Sequence, residues 1–214
     1  MLALRISEIF FSIQGESTRM GCPCVFVRLT YCNLRCTYCD TAYAFAGGTD
    51  MSIDEIINTV EGYGCRLVEI TGGEPLAQSA VLPLMTSLCD RGFEVLLETG
   101  GSLDIAAVDA RVKRIMDLKC PSSGMHHRNL WTNLAHLRET DEVKFVIGTR
   151  EDFDWAVGVI RRHSLTTLCP VLMSVVFGVL VPQDLAEWIL AERIGVRFQL
   201  QMHKFIWEPS MRGV

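Results

Sequence analysis

Apolar runs alternate with amphipathic stretches along most of the 214-residue chain. The runs are short and rich in β-branched residues, a pattern typical of buried strands, whereas apolar residues three and four positions apart indicate helices. We predict strands at residues 4–11, 24–30, 66–71, 93–98, 112–118, 143–147, 168–176 and 196–201. We predict helices at residues 52–61, 78–91, 131–137, 151–163 and 183–194.

Local signals place several helix ends. Ser52 and Glu55 form a capping box, which begins the first helix at Ser52. Pro83 either lies in the first turn of its helix or kinks that helix. Pro182 is expected to open the last long helix and Gly195 to close it, because proline suits the first turn and glycine suits the position after the last turn.

Strands that alternate with helices predict parallel βαβ units with right-handed crossovers. Six such repeats follow the loop after strand 24–30, which is too few for a closed eight-fold barrel. We therefore expect an α/β fold, an incomplete (β/α)6 barrel with an N-terminal strand or hairpin extension from residues 4–30. No linker is visible, so one domain should cover residues 1–214. Polar motifs follow several strands, where α/β folds collect their chemistry.

The composition excludes several classes of function. The net charge of −5 and the pI near 5.5 offer no basic surface for nucleic acid. No apolar run approaches the roughly 18 residues of a membrane span, and the N-terminus lacks a signal-peptide pattern. Nine cysteines, an odd number, argue against a secreted disulfide framework. We therefore expect a cytoplasmic protein that binds neither membrane nor nucleic acid.

Cys32, Cys36 and Cys39 form a C-x3-C-x2-C run. Soft sulfur ligands suit iron–sulfur clusters, and three thiolates can hold three irons of a [4Fe–4S] cluster while the fourth iron stays open to a small molecule. The alternatives are a zinc site or unrelated buried thiols, but zinc sites usually need a second Cys or His pair, and none follows here. We expect the other six cysteines to be small buried residues, although Cys22 and Cys24 could pair or bind a metal.

This cysteine spacing resembles that of the radical S-adenosylmethionine (SAM) superfamily. Thr71-Gly72-Gly73-Glu74-Pro75 resembles the superfamily motif that holds the SAM amino group, where glycines let the backbone approach the ligand. In that superfamily an electron from the cluster cleaves SAM, and the resulting radical abstracts hydrogen from the substrate. Tyr38 and Asp40 are among the residues expected to contact SAM. The alternative for Tyr38 is a core aromatic residue, and the alternative for Asp40 is a cap of the loop backbone. The resemblance implies such contacts at Tyr38, Cys39, Asp40, Gly72, Gly73, Glu74, Thr99, Cys120, Pro121 and Ser122.

Three further segments are similar to the 7-carboxy-7-deazaguanine synthase family: Phe11-Ser12-Ile13-Gln14-Gly15-Glu16, Cys39-Asp40-Thr41, and His203-Lys204-Phe205-Ile206-Trp207. The resemblance covers nearly the whole chain and implies a radical SAM fold with a cluster loop at residues 32–49. It also implies a lyase that converts 6-carboxy-5,6,7,8-tetrahydropterin into 7-carboxy-7-deazaguanine with loss of ammonia, using a [4Fe–4S] cluster, SAM and Mg²⁺. The product of that family feeds 7-deazapurine nucleosides such as queuosine of transfer RNA.

The same resemblance implies a substrate site, in which Gln14 and Glu16 can face the donor-rich edge of a pterin. Arg28 can fork onto the substrate carboxylate, and the C-terminal carboxylate is expected to face the pterin edge. Thr41 is the expected Mg²⁺ ligand. A loop cap at Thr41 and an ordinary core or surface role for His203 are the alternatives. The implied substrate residues are Ile13, Gln14, Gly15, Glu16, Arg28, Thr71, His203 and Val214.

The expected partners are the pterin substrate, an electron donor such as a flavodoxin and a second copy of the chain in a homodimer. A glycyl-radical activating enzyme is the alternative, but it would need a groove for a polypeptide. A plain electron carrier would need a fourth cluster ligand. The chain departs from the family pattern at Ser17 and Tyr31, where glycine is usual, and at Ser174-Val175, which lacks a frequent proline.

Overall fold

A computed structural model of the chain describes residues 2–214. Its strands are β1 (Ala3–Ile13), β2 (Pro23–Leu29), β3 (Thr49–Ser52), β4 (Leu67–Gly72), β5 (Glu94–Thr99), β6 (Lys113–Asp117), β7 (Glu142–Ile147), β8 (Val171–Val175) and β9 (Arg197–Gln199). Its α-helices are α1 (Ile53–Gly62), α2 (Val81–Asp90), α3 (Arg150–His163), α4 (Leu165–Leu168), α5 (Pro182–Glu192) and α6 (His203–Ile206). Short 3₁₀ helices cover Ala42–Phe45, Pro75–Ala77, Pro121–Ser123, His126–Arg128 and Trp131–His136.

The strands form one sheet in the order β3-β1-β2-β4-β5-β6-β7-β8-β9. β1 is antiparallel to β2 and β3, whereas every pairing from β2 through β9 is parallel. Because β3 and β9 are the two ends of this order, the sheet does not close on itself. The expected incomplete barrel with an N-terminal hairpin is therefore confirmed. The short edge strand β3 was not predicted, since Thr49-Asp50-Met51-Ser52 has no apolar run.

The helix signals are confirmed except at one end. Ser52 and Glu55 form the expected capping box of α1, Pro83 lies in the first turn of α2, and Pro182 opens α5. The expectation that Gly195 closes α5 is wrong. The helix ends two residues earlier, at Arg193, which adopts the left-handed conformation with φ +52° although that region favours glycine.

Two apolar groups of side chains lie on the two faces of the sheet. The larger group fills the space between the sheet and the helices and includes Phe145 and Phe153. The smaller group lies on the concave face and is centred on Phe10 and Phe26, whose rings stack 4.9 Å apart. Alternate residues of a strand share a face, so polar residues further along the same strands line the inside of the barrel. Among residues 2–214, no helix has the length and apolar character needed to span a membrane.

Candidate active site

A cavity of about 690 Å³ opens at the carboxyl ends of the parallel strands. Its wall is formed by the segment after β1, the loop after β2, the ends of β4 to β7 and the C-terminal segment 201–214. This is the position at which parallel α/β folds place ligands. The cavity brings most of the predicted site residues together: Ile13, Gln14, Gly15, Glu16, Arg28, Cys32, Cys36, Tyr38, Cys39, Asp40, Thr41, Thr71, Gly72, Gly73, Thr99, His203 and Val214.

The three thiols Cys32, Cys36 and Cys39 lie on one side of this cavity, on the loop after β2. Burial raises the pKa of each thiol, and the ammonium group of Lys119 acts in the opposite direction on all three. A cation beside soft sulfur ligands favours their thiolate form, so this set of donors fits an iron–sulfur cluster. Of the remaining cysteines, the predicted burial is correct for Cys24, Cys120 and Cys169, whereas Cys65 and Cys89 are half-buried and Cys22 is exposed.

Gly72 and Gly73 are required by the neighbouring strand. A Cβ on Gly72, which has φ +132°, would lie 2.3 Å from the carbonyl oxygen of Leu29, and a Cβ on Gly73 would lie 2.0 Å from that of Tyr31. The two glycines therefore let the end of β4 pack closely beside the end of β2 and the residues that follow β2. We expected the glycines to serve a ligand, and the structure shows that the chain itself already requires them.

Glu74 has no exposed surface and does not line the cavity. Its carboxylate accepts hydrogen bonds from the backbone N–H groups of Leu76 (3.1 Å) and Gly100 (2.8 Å) and from the hydroxyl of Thr99 (2.9 Å). These bonds hold the loop after β4 against the end of β5. In the fold, Glu74 braces that loop, and the expected contact between Glu74 and SAM stays a prediction.

Cys120, Pro121 and Ser122 also lie outside the cavity wall. The backbone N–H of Ser122 donates to Asp152 at the start of α3 (2.9 Å), and its hydroxyl bonds the same carboxylate. The hydroxyl of Thr37, in the cluster loop 32–49 that carries the three cysteines (the cysteine loop), donates to the Ser122 carbonyl oxygen (2.7 Å). This segment therefore supports the cysteine loop through Thr37, and the expected SAM contacts at Cys120, Pro121 and Ser122 stay predictions.

A buried charged group occupies the other side of the cavity. Lys144 on β7 places its Nζ atom 2.5 Å from Glu16 Oε2 and 2.8 Å from Glu98 Oε1. Burial acts to lower the pKa of Lys144, but the two carboxylates outweigh it and raise that pKa well above its usual value. Burial likewise opposes ionisation of Glu98, and the ammonium group nevertheless lowers its pKa to about 2. Thr71 adds a hydroxyl hydrogen bond to Glu98 (2.9 Å).

The side-chain amide of Gln14 is bonded at both ends within the protein. Its Nε2 donates to a carboxylate oxygen of Glu69, and its Oε1 accepts from the backbone N–H of Glu16 (3.0 Å). Gln14 is buried, so few other partners can reach the amide. We therefore expect the Gln14 amide to face the substrate while it keeps these two hydrogen bonds.

The C-terminal segment packs directly onto the Gln14–Glu16 region. A Cβ on Gly15 would lie 2.2 Å from His203 Nδ1, which explains the glycine at this position. Burial lowers the pKa of His203, so its ring is neutral at neutral pH. Gln201 donates to Glu16 Oε1 (3.0 Å), and Val214 lines the cavity.

Asp40 and Thr41 connect the cysteine loop with the C-terminal segment. Lys204 Nζ lies 2.6 Å from Asp40 Oδ2, and the Thr41 hydroxyl donates to Asp40 Oδ1 (3.0 Å). Burial opposes ionisation of Asp40, but Lys204 and Thr41 hold its pKa well below the usual value. On the same side, Arg28 donates to Glu8 through Nε (2.7 Å).

Two positions in this region take backbone conformations that favour glycine. Ser17 has φ +62° and Tyr31 has φ +78°, and these are the positions at which the chain departs from the glycine of the family pattern. Both backbones are held by hydrogen bonds. The side-chain carbonyl of Gln199 accepts from the Ser17 N–H (3.1 Å), and the Tyr31 carbonyl oxygen accepts from the Glu74 N–H (2.8 Å).

Sequence reasoning found Glu16, Arg28 and Asp40 but missed several other polar residues of the cavity. A signal for four of them was present, because each interrupts or ends an apolar strand: Glu69, Glu98, Asp117 and Lys144. A charged residue within a strand of a barrel points to the interior when the neighbouring residues pack against helices. No comparable signal marks Lys119, in a loop, or Gln201, in the C-terminal segment, whereas Lys204 belongs to the family-like segment 203–207.

Comparisons with known proteins agree with this geometry. The Radical SAM superfamily model matches residues 27–178. The chain is 50% identical to the 7-carboxy-7-deazaguanine synthase of Chlorobaculum tepidum over 99% of this chain and 97% of that protein. It is 45% identical to that of Koribacter versatilis over 99% and 100%. Its fold is similar to the crystal structure of QueE from Escherichia coli, with a TM-score of 0.79, 21% identity and coverage of 95% and 96%.

Proposed function

We propose that this chain, which belongs to the radical SAM superfamily and within it to the 7-carboxy-7-deazaguanine synthase family, converts 6-carboxy-5,6,7,8-tetrahydropterin into 7-carboxy-7-deazaguanine with loss of ammonia. The chain is a radical SAM enzyme of 7-deazapurine biosynthesis. One observation carries the proposal for the substrate. A single cavity joins three thiols on one side to a buried charged group on the other.

The superfamily uses a [4Fe–4S] cluster and SAM. Cys32, Cys36 and Cys39 would hold three irons, and the cluster with SAM would supply a radical that abstracts hydrogen from the substrate. This chain's own residues have other tasks. Lys119 provides positive charge beside the thiols, and Asp117 holds it there through a contact of 2.7 Å. Tyr38, Thr99 and the Gly72–Gly73 backbone form the wall that SAM would meet.

The charged side of the cavity suits a pterin. A pterin presents a guanidine-like edge with several N–H donors, and carboxylates are the strongest acceptors for such donors. Lys144 Nζ, which lies 2.5 Å from Glu16 Oε2, orients the Glu16 side chain for this role. Arg28 is the group proposed for the substrate carboxylate, and it would share its guanidinium with Glu8. The C-terminal segment closes this side through Gln201 and His203.

For Mg²⁺ we propose Thr41 as the protein ligand. Across residues 2–214, no three His, Cys, Asp or Glu side chains converge on a point that could hold a metal ion. Mg²⁺ keeps several waters and is often bound by only one or two protein groups together with the substrate. A hydroxyl oxygen on the cavity wall beside the ionised Asp40 fits that mode.

Four further expectations stay predictions: an electron donor such as a flavodoxin, a homodimer, a single domain over residues 1–214, and a cytoplasmic location. The alternative function, activation of a glycyl-radical enzyme, requires a groove that admits a polypeptide. Contacts of Gln201 with Glu16 and of Lys204 with Asp40 instead cover one side of the cavity with the C-terminal segment. This favours a small substrate.

The test is anaerobic incubation of the reconstituted protein with SAM, dithionite, Mg²⁺ and 6-carboxy-5,6,7,8-tetrahydropterin, followed by mass spectrometry. We expect 7-carboxy-7-deazaguanine and ammonia in equal amounts. A protein that holds its cluster and cleaves SAM under these conditions without forming this product has a different substrate.

A further inference from the structure

Glu69 is a carboxyl group on the apolar floor of the cavity. It lies in the middle of β4 and is only 4% exposed. Its register partners are Phe26 on β2 and Leu96 on β5, both members of the apolar group on the concave face. An ionisable group in such surroundings is costly unless its polar atoms are bonded. The placement therefore requires a specific partner.

That partner is the amide of Gln14, which donates to Glu69. The other end of the same amide accepts from the backbone N–H of Glu16 (3.0 Å). If the amide were turned over, its NH₂ group would face the Glu16 N–H and two donors would oppose each other. Glu69 and the Glu16 backbone N–H together permit one orientation of the Gln14 amide. The hydrogen bond from the Glu16 N–H to this amide also fixes the position of the Glu16 backbone.

Charged groups from several elements surround Glu69. Burial has the largest effect on its pKa, and the carboxylates of Glu98 on β5 and Glu16 add to it, while Lys144 on β7 opposes them; the net result is a pKa well above the usual value. The thiol of Cys24 on β2 also faces Glu69 and has a raised pKa of its own. Glu69 therefore keeps its proton to a higher pH than an ordinary glutamic acid does. An uncharged carboxyl group has nearly the shape of a carboxamide, so glutamine is a close substitute.

We propose that Glu69 is a specificity-determining positioning residue, which holds the Gln14 amide and the adjoining Glu16 backbone in the one arrangement that accepts the pterin edge. The inference rests on the proposed function, since the pterin is the ligand whose recognition it explains. The side chain of Glu16 is also held in place, because its carboxyl oxygens contact Lys144 and Gln201. Glu69 thus acts on the substrate through Gln14.

The experiment compares four variants as reconstituted enzymes: Glu69→Val, Glu69→Gln, Gln14→Ala and the double variant Glu69→Val/Gln14→Ala. Valine matches the volume of glutamate and suits a strand. We expect Glu69→Val to raise the KM for 6-carboxy-5,6,7,8-tetrahydropterin about tenfold, or about 1.4 kcal/mol, and to leave the dissociation constant of SAM within error. Glu69→Gln should retain most of the pterin affinity. The double variant should bind the pterin no worse than Gln14→Ala, because the two residues act as one unit.

Ser174→Ala is the matched control. Ser174 lies on β8, is 1% exposed, and its hydroxyl has no hydrogen-bond partner in the described structure. It should change no measured quantity. Unchanged pterin KM in Glu69→Val, equal damage from glutamine and valine, or additive effects in the double variant would each overturn the positioning role. Failure of the wild-type enzyme to convert the pterin would instead overturn the proposed function.

Discussion

The cysteine side and the charged side of the cavity are held together in different ways. On the cysteine side, the contacts described above involve backbone atoms. The end of β4 packs closely beside the end of β2 at Gly72 and Gly73, and Glu74 ties the loop to β5 through backbone N–H groups. On the charged side, salt bridges between side chains make the contacts, with Lys144 between Glu16 and Glu98. A backbone scaffold tolerates most side-chain changes, whereas a buried ion pair loses its balance when one member is removed.

The largest expected effect falls on the cysteine side and concerns its three thiols. Cys32→Ala, Cys36→Ala and Cys39→Ala should each abolish the visible absorbance of the reconstituted cluster and all turnover, because each removes a ligand. Cys22→Ala, Cys24→Ala and Cys169→Ala should keep both. A cluster that survives Cys36→Ala and is lost in Cys24→Ala would contradict the assignment. Absorbance spectra and iron content measure the outcome.

On the charged side, Lys144→Met should lower kcat/KM for the pterin at least about 100-fold, because removing one partner of a buried ion pair costs about 3–5 kcal/mol and a factor of ten corresponds to about 1.4 kcal/mol. Cluster content and SAM cleavage should not change. Lys113→Met is the matched control, since Lys113 forms an ion pair of 2.6 Å with Glu94 that is partly exposed and does not line the cavity. Equal loss of activity in both variants would show that the effect is general destabilisation.

Thr41→Ala tests the boundary between the two sides. It should reduce the acceleration by Mg²⁺ severalfold and leave the cluster absorbance unchanged, because it removes the one hydroxyl ligand proposed for the metal. Thr37→Ala serves as the control, since Thr37 lies in the same loop and donates to the Ser122 carbonyl oxygen. Kinetics measured against Mg²⁺ concentration separate the two variants. An unchanged response in Thr41→Ala would refute its role as ligand.

Two carboxyl groups of the charged side should respond to pH in opposite directions. Glu98 has a lowered pKa, so its contribution to stability is present above pH 4.5 and is lost as the pH falls toward 2. Glu69 has a raised pKa, so the folded state holds its proton above pH 4.5 while the unfolded state releases it, and stability falls as the pH rises. Glu69→Gln should therefore flatten the decline of the unfolding free energy above pH 4.5. Urea unfolding at several pH values tests this, and an unaltered slope would contradict it.

The smallest effect should come from the backbone on the cysteine side. Tyr31 has φ +78° and is 51% exposed. A left-handed conformation costs about 1–2 kcal/mol for a residue with a Cβ, whereas glycine loses about 0.5–1 kcal/mol through its greater freedom when unfolded. Tyr31→Gly should thus raise the free energy of unfolding by up to about 1.5 kcal/mol. Tyr31→Ala keeps the Cβ and should give no gain, and a gain in the alanine variant would show that the tyrosine ring is responsible.

The fold could be predicted because its strands are apolar runs separated by amphipathic helices. The strand Thr49–Ser52 was not predicted, because an exposed edge strand needs no apolar side chains. The end of α5 was predicted at the wrong residue, because Arg193 adopts the left-handed conformation that usually favours glycine. The cysteine side could be predicted because ligands such as Cys36 form short, local motifs. The charged side could not, because Glu69, Glu98 and Lys144 meet only after distant strands pair. The sequence shows that a charged residue lies within an apolar strand, but it does not show which residue of another strand that charge meets.

The contacts that close the cavity join parts of the chain made at very different times. Glu16 meets Gln201, which lies 185 residues later, and Asp40 meets Lys204, 164 residues later. The pairing of β2 with β4 can form long before these contacts, since closing the longest loops is entropically the most costly and kinetically the slowest. During synthesis, the sheet can therefore assemble around an open cavity. The cysteine loop remains accessible for metal loading until the last segment arrives and covers one side.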